Sequence, residues 1–159
     1  MMTASQRKIY IAKVAMYLSS FAAGAYIGNS LPDKDITYLG IGSHRNFAFH
    51  SVLAAVFGRL MIRFLQRFAD CMNEEGLLSD QDAAVVQHCF SAAQGGVAVG
   101  VAVHLAIDGT IQGSKAVLMG HFGSIVDGTL IDDKAWFLVN SFAAFFMQSA
   151  TQASEQRTA

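Results

Sequence analysis

The sequence contains few charged residues, one proline and two cysteines, and these shortages exclude several classes of protein. Charged residues make up 14% of the 159 positions and hydrophobic residues 53%, which is too apolar a composition for an intrinsically disordered chain. Eleven basic and twelve acidic residues leave a net charge of -1. Because there is no basic excess, we expect no nucleic acid partner. The length predicts a single domain over 1–159.

The two cysteines, Cys71 and Cys89, allow at most one disulfide bond. Both lie in apolar segments with helical periodicity, where cysteine is ordinarily a buried free thiol. We therefore expect free thiols, and the pair gives no indication of the cellular compartment.

The hydrophobic periodicity predicts an all-α fold, a bundle of about four helices with one long glycine-rich loop before the last helix. Proline occurs once, at Pro32, and no sustained apolar and polar alternation marks a strand. The loop is expected at residues 108–133, and loops of that length are usually functional. The chain is expected to end in a polar tail from about residue 153. The predicted helices cover residues 8–29, 47–73, 79–107 and 134–152.

Two apolar segments suggest a membrane-associated chain. Residues 14–32 and 83–107 contain no Asp, Glu, Lys or Arg, and the second is long enough to cross a hydrocarbon layer of about 30 Å. Gly95, Gly96 and Gly100 offer another explanation for that segment, a close-packed helix interface inside a bundle. The basic start of the first segment also fits a secretory signal peptide. Membrane lipid is the expected partner, and a homo-oligomer or a larger membrane assembly stays open.

The second predicted helix is amphipathic. Arg59, Arg63 and Arg67 recur every four residues on one side, where they would meet anionic lipid head groups or keep an exposed face solvated. The apolar side consists of Leu53, Phe57, Leu60, Phe64 and Phe68.

The polar residues that could carry chemistry fall into three places in this apolar chain. Buried imidazole and carboxylate groups are costly unless they are paired or bind a metal. His104 and Asp108 are four residues apart and share a helix face, so they could bind one cation together or simply hydrogen-bond to each other. The three groups are Asp33 and Asp35 after the first helix, His44, Arg45 and His50 around the start of the second, and His104 with Asp108 at the end of the third.

In this order the three groups resemble the bacterial membrane-bound metal-dependent hydrolases, the YdjM-like family of LexA-regulated inner-membrane proteins. The resemblance covers about residues 28–109. The interval from His44 to His50 is one residue longer than in the family, and Phe49 stands where the family has Thr. The matching stretches are Leu31-Pro32-Asp33-Lys34-Asp35, the segment from His44-Arg45 to His50-Ser51, and His104-Leu105-Ala106-Ile107-Asp108.

The resemblance implies a metal-centred hydrolytic site at a bacterial inner membrane. The mixed imidazole and carboxylate set suits Zn²⁺ or Mn²⁺. The expected reaction is hydrolysis of an ester, taken as a phosphoester, with Asp35 accepting the proton and Arg45 binding the phosphate. The predicted metal ligands are Asp33, Asp35, His44, His50, His104 and Asp108.

A second interpretation is a non-catalytic helical subunit of a membrane or of a larger assembly. Its His and Asp groups would form structural hydrogen bonds across the bundle. The two interpretations differ in geometry, because carboxylates of Asp33 and Asp108 more than about 10 Å apart could not share one ion at ligand distances of about 2.0 to 2.2 Å.

Overall fold

The computed structural model describes residues 2–34, 49–112 and 133–158, and within these ranges it contains α-helices and no strand. The all-α helical bundle that the sequence predicts is therefore confirmed. A short π-helical turn, Asp108–Gln112, continues the third helix. The four helices are α1 at Ala4–Ser30, α2 at Val52–Glu74, α3 at Asp80–Ile107 and α4 at Asp133–Thr158.

Local sequence signals explain where the helices start and stop. Thr3 caps α1 in a capping box with Gln6. Ser79 caps α3 as predicted, since its hydroxyl accepts a hydrogen bond from the Asp82 backbone N–H at 3.2 Å. The first helix ends at Ser30, two residues before Pro32, which cannot continue a helix.

Two helix ends lie further along the chain than the sequence indicates. The third helix does not give way to a loop at Asp108, because the π-helical turn carries it to Gln112. The last helix runs to Thr158 rather than stopping near residue 152, since its polar end contains neither glycine nor proline to break it. Residues 113–132, most of the predicted glycine-rich loop, lie outside the described residues.

The central helix of the bundle is α3, against which the other three helices pack. Its contact with α1 is exceptionally close. A Cβ atom placed at Gly24 or Gly28 would overlap the backbone of α3, and one at Gly96 or Gly100 would overlap the backbone of α1. Two Gly-x-x-x-Gly segments thus pack backbone against backbone, as in membrane helix pairs. The helix-interface explanation for the glycines of α3 is confirmed.

The helices alternate in direction. Gly24 lies against Ala93 and Gly28 against Val97, so α1 and α3 run parallel. Helix α4 is antiparallel to α3, as Ser141 shows by donating a hydrogen bond to the Ala102 carbonyl at 2.7 Å. Helices α1 and α3 therefore end, and α2 and α4 begin, at one end of the bundle, which we call the ligand end.

The outer surface of the bundle is unusually apolar. Helix α2 turns mainly small residues inward, among them Ala55 and Gly58, together with Ile62, and most of its large apolar residues outward. The aromatic face predicted from periodicity is thus fully formed but points away from the bundle. Cys71 lies on this exposed surface, so the prediction of burial is wrong for this thiol, although both cysteines are free. The exposed residues of the face include Leu53, Phe57, Leu60, Phe64 and Phe68.

Within residues 2–34, 49–112 and 133–158, two helical segments are long and apolar enough to cross a membrane by length and composition. They are Ala4–Ser30 and Asp80–Thr110. Only 11% of the apolar window in the first is buried inside the bundle, against 50% in the second. The first segment consequently presents most of its apolar side chains, such as Tyr10, Leu18 and Tyr26, to its surroundings.

Candidate metal centre

Four of the predicted ligands meet at the ligand end of the bundle. They come from three separate stretches of chain: Asp33 follows α1, His50 precedes α2, and His104 and Asp108 end α3. The side chains of His50 and Asp108 are buried, His104 is 13% exposed and Asp33 is 50% exposed. The cluster thus has a buried floor and one open side, formed by Asp33.

Each imidazole faces both carboxylates through its Nε2 atom. His104 Nε2 lies 3.6 Å from Asp33 Oδ1 and 3.4 Å from Asp108 Oδ2. His50 Nε2 lies 3.9 Å and 3.7 Å from the same two oxygens. Because both carboxylates approach one nitrogen, their oxygens are at most about 7 Å apart. This meets the criterion of about 10 Å given above, while two atoms that both bind one ion at about 2.0 to 2.2 Å are themselves at most about 4.4 Å apart.

These separations fit ligands arranged around a cation. Donor atoms about 2.0 to 2.2 Å from one tetrahedral ion lie about 3.3 to 3.6 Å from one another. The four measured distances, 3.4 to 3.9 Å, are within a few tenths of an ångström of that range. All four exceed the roughly 2.7 to 3.2 Å of ordinary N–H···O hydrogen bonds. Asp33, His50 and His104, whose ligand atoms all lie within 4.8 Å of one another, form a compact group that could hold a metal ion, and Asp108 lies beside this group rather than in it.

The local sequence explains how each ligand is positioned. Pro32 is fully buried and fixes the turn from which Asp33 emerges. His50 comes directly before Ser51, whose hydroxyl caps α2 by accepting a hydrogen bond from the Leu53 backbone N–H at 3.2 Å. The four-residue spacing of His104 and Asp108 stacks their side chains on one face of α3.

Neighbouring groups hold the two histidines. Trp136 Nε1 donates a hydrogen bond to the His50 carbonyl at 3.0 Å, and the Phe137 ring meets the His50 ring edge to face. The His104 ring hydrogen-bonds to the backbone of Asn29 at the end of α1. Such a bond behind a histidine is typical of metal sites.

Helix α4 contributes a support that the sequence analysis missed. Asn140 Oδ1 accepts a hydrogen bond from the Val52 backbone N–H at 3.0 Å, and Asn140 Nδ2 donates to the Trp136 carbonyl at 2.9 Å. The available signal was the four-residue spacing of Trp136 and Asn140, which are polar-tipped residues on one face of the mostly apolar stretch 135–147.

Three predicted site residues cannot be placed. Asp35, His44 and Arg45 belong to residues 35–48, which lie outside the described residues. The structure therefore brings together four of the six predicted metal ligands, Asp33, His50, His104 and Asp108, and the roles of Asp35, His44 and Arg45 stay predictions.

Comparison with known proteins does not assign the chain to a family, so its function is argued from the geometry of the site. The chain matches no family model, no curated protein and no solved structure.

Proposed function

We propose that this protein is a membrane-associated metal-dependent hydrolase that cleaves an ester, most directly a phosphoester. The observation that carries the proposal is the convergence of two imidazoles and two carboxylates at separations of 3.4 to 3.9 Å. These distances are within a few tenths of an ångström of the separations expected between ligands of one divalent cation. The sequence resemblance to membrane-bound metal-dependent hydrolases points to the same activity.

His50, His104, Asp33 and Asp108 would hold the metal. Imidazole nitrogen together with carboxylate oxygen favours Zn²⁺ or Mn²⁺ over the oxygen-only sites of Ca²⁺. The ion would supply Lewis acidity and a nucleophilic water at neutral pH. The buried position of His50 and Asp108 keeps bulk water from one side of the site, while the exposed side of Asp33 leaves a route for substrate.

The roles of Asp35 and Arg45 are proposed from the sequence. Asp35 would accept the proton of the attacking water, because it follows the proposed metal ligand Asp33 by two positions and its carboxylate can act as a general base. Arg45 would bind the phosphate through the planar fork of its guanidinium group.

The ligand end of the bundle suits a substrate that reaches it from a membrane surface. The ligands lie where α1 and α3 end, and both helices belong to segments apolar enough to cross a bilayer. A site at the end of such helices would lie at the level of the lipid head groups. We therefore propose a bacterial inner membrane as the location and lipid as a partner.

The test combines metal analysis with an activity assay on the full chain. Protein purified from membranes without chelator is analysed for Zn and Mn by mass spectrometry and assayed with bis(p-nitrophenyl) phosphate. We expect bound metal, hydrolysis that is lost with a chelator, and recovery when Zn²⁺ or Mn²⁺ is returned.

Matched variants locate the activity. We expect His104→Gln and Asp108→Asn to lower metal affinity by at least about 10-fold to 100-fold and to abolish hydrolysis. The control is His88→Gln, which changes an exposed histidine on the same helix and should change neither quantity. Metal-free protein, or metal content that is the same in all three variants while their helical content is unchanged, would contradict the proposal and favour a structural role for the cluster.

A further inference from the structure

An apolar groove begins beside the candidate metal centre and runs along the outer face of α2. Its volume is about 720 Å³, within the roughly 300 to 1,000 Å³ of ligand-binding pockets. Among the described residues, every side chain that lines it is apolar. The lining includes Leu31, Phe49, Leu53, Phe57 and Leu60.

The groove adjoins the metal ligands through two of its residues. Leu31 lies two positions before Asp33, and Phe49 directly precedes His50. The Leu31 side chain reaches α2, where its Cδ1 atom lies 3.5 Å from where a Gly58 Cβ would stand. One end of the groove thus lies next to the polar cluster, and the rest is apolar.

We propose that this groove binds the hydrocarbon chain of an amphiphilic substrate whose phosphoester head reaches the metal centre. The proposal rests on the hydrolase function proposed above and names its substrate class as a lipid. A polar ligand would lose hydration against the apolar side chains of the described lining and gain no hydrogen bond from them in return. A hydrocarbon chain gains from burial along its whole length.

The position of the groove fits delivery from a bilayer. From Leu53 to Leu60 the lining follows α2 for about 10 Å at 1.5 Å per residue. It leads from the exposed aromatic face of α2 toward the ligand end. A lipid lying against that face would have its chain along the helix and its head beside Asp33, the half-exposed ligand.

Chain length provides the test. Binding of alkyl phosphates from ethyl to decyl is measured by calorimetry on the metal-loaded full chain in nanodiscs, with empty nanodiscs subtracted. Hydrolysis is measured on the matching alkyl p-nitrophenyl phosphodiesters. We expect affinity to rise about threefold to fourfold for each methylene that enters the groove and then to level off. We also expect KM to fall in parallel while kcat stays constant.

Two variants on one helix separate the groove from the general apolar surface. Phe57 lines the groove and Phe68 does not, yet they are 59% and 58% exposed. Phe57→Asp should flatten the dependence on chain length, and Phe68→Asp should keep it. Leu60→Asp, at a groove position that is 58% exposed, provides a second variant. Metal content equal to that of the wild type verifies that each variant is folded.

The outcomes distinguish the two proposals. Chain-dependent binding without hydrolysis of any diester would support the groove as a lipid site and overturn the hydrolase function. Hydrolysis that is independent of chain length would support the hydrolase and overturn the lipid assignment. If affinity depended on alkyl chain length equally in Phe57→Asp and Phe68→Asp, the chains would only be partitioning into the surrounding lipid. That result would also overturn the assignment of the groove as a lipid site.

Discussion

The candidate metal centre depends on a few hydrogen bonds that join helices at single residues. Asn140 is one of the few buried polar residues among the described side chains, and its amide joins the start of α2 to α4 through Val52 and Trp136. Trp136 in turn holds the carbonyl of His50. The position of His50 is thus set by α4, although no ligand among the described residues comes from that helix.

We predict that Asn140→Ala destabilises the fold by about 1 to 3 kcal/mol. The substitution leaves the partly buried N–H of Val52 and the carbonyl of Trp136 without the amide, and an unsatisfied buried group costs about that much. Thermal unfolding of the purified protein, followed by circular dichroism, measures the change.

Asn73→Ala is the matched control. Asn73 also uses its side-chain amide to join two helices, donating to Asp80 at 3.2 Å, but this bond is exposed at the opposite end of the bundle. Because water replaces an exposed bond, we expect a change within about 0.5 kcal/mol. Equal losses from the two variants would show that burial of Asn140 has no special role.

At the level of helices, the closest packing in the molecule is between the two Gly-x-x-x-Gly segments of α1 and α3. This contact fixes the relative height of the two parallel helices. It therefore determines whether Asp33, three residues beyond α1, comes level with His104 on α3. Helix packing and the geometry of the site are coupled through these glycines.

We predict that Gly28→Leu destabilises the bundle by about 1 to 3 kcal/mol or more and also lowers its metal content. A side chain at this position would overlap the backbone of Val97, and overpacking costs about that amount. The separation of α1 from α3 would draw Asp33 away from His104. Thermal unfolding and metal analysis of the same sample measure both effects.

Ala23→Leu provides the comparison for Gly28→Leu, since Ala23 is an exposed position on the same helix. It should keep both stability and metal content. A Gly28→Leu protein as stable and as rich in metal as Ala23→Leu would contradict the role given to the glycine packing.

The helices could be predicted from the sequence because hydrophobic periodicity, capping residues at helix starts and Pro32 at the end of α1 are local signals. The direction in which α2 faces could not be predicted, because its apolar side is equally suited to a protein core and to lipid, and only the packing of Ala55 and Gly58 against α3 decides. The π-helical turn after α3 was missed for a similar reason. Asp108 and Gly109 resemble a turn locally, while contacts of Gly109 with Phe137 and Leu138 are tertiary.

For the site, the types of residue and their spacing could be predicted from the sequence. The burial of each side chain and the hydrogen bonds that hold it in place could not. His104 and Asp108 were predictable as a pair because a spacing of four is enough to place them together. The approach of Asp33 and His50 to that pair depends on how three helices pack. Trp136 and Asn140 act by hydrogen bonds to the backbone of His50 and Val52. Such bonds to backbone groups cannot be predicted from a pattern of side chains.

At the scale of the whole molecule, the described bundle presents large apolar side chains on every helix. Phe142, Phe145 and Phe146 continue this surface on α4. Soluble monomers rarely expose apolar patches larger than a few hundred Å². The exposed surface and the two apolar segments of the described residues agree with the membrane location proposed above.

We predict that the full chain is recovered in the membrane fraction and stays there after an alkaline carbonate wash, because helices that cross a bilayer are not released by removing electrostatic contacts. Immunoblotting of pellet and supernatant measures this. Release into the supernatant by carbonate would indicate surface attachment and would contradict the spanning arrangement.

The central claim is that Asp33, His50, His104 and Asp108 bind one divalent cation together. X-ray absorption spectroscopy at the edge of the metal that copurifies with the full chain tests it most directly. We predict a first shell of nitrogen and oxygen at about 2.0 to 2.2 Å with the outer-shell scattering of two imidazole rings, reduced to one ring in His104→Gln. A shell of water oxygens without imidazole scattering, or the same spectrum in the variant, would contradict the account.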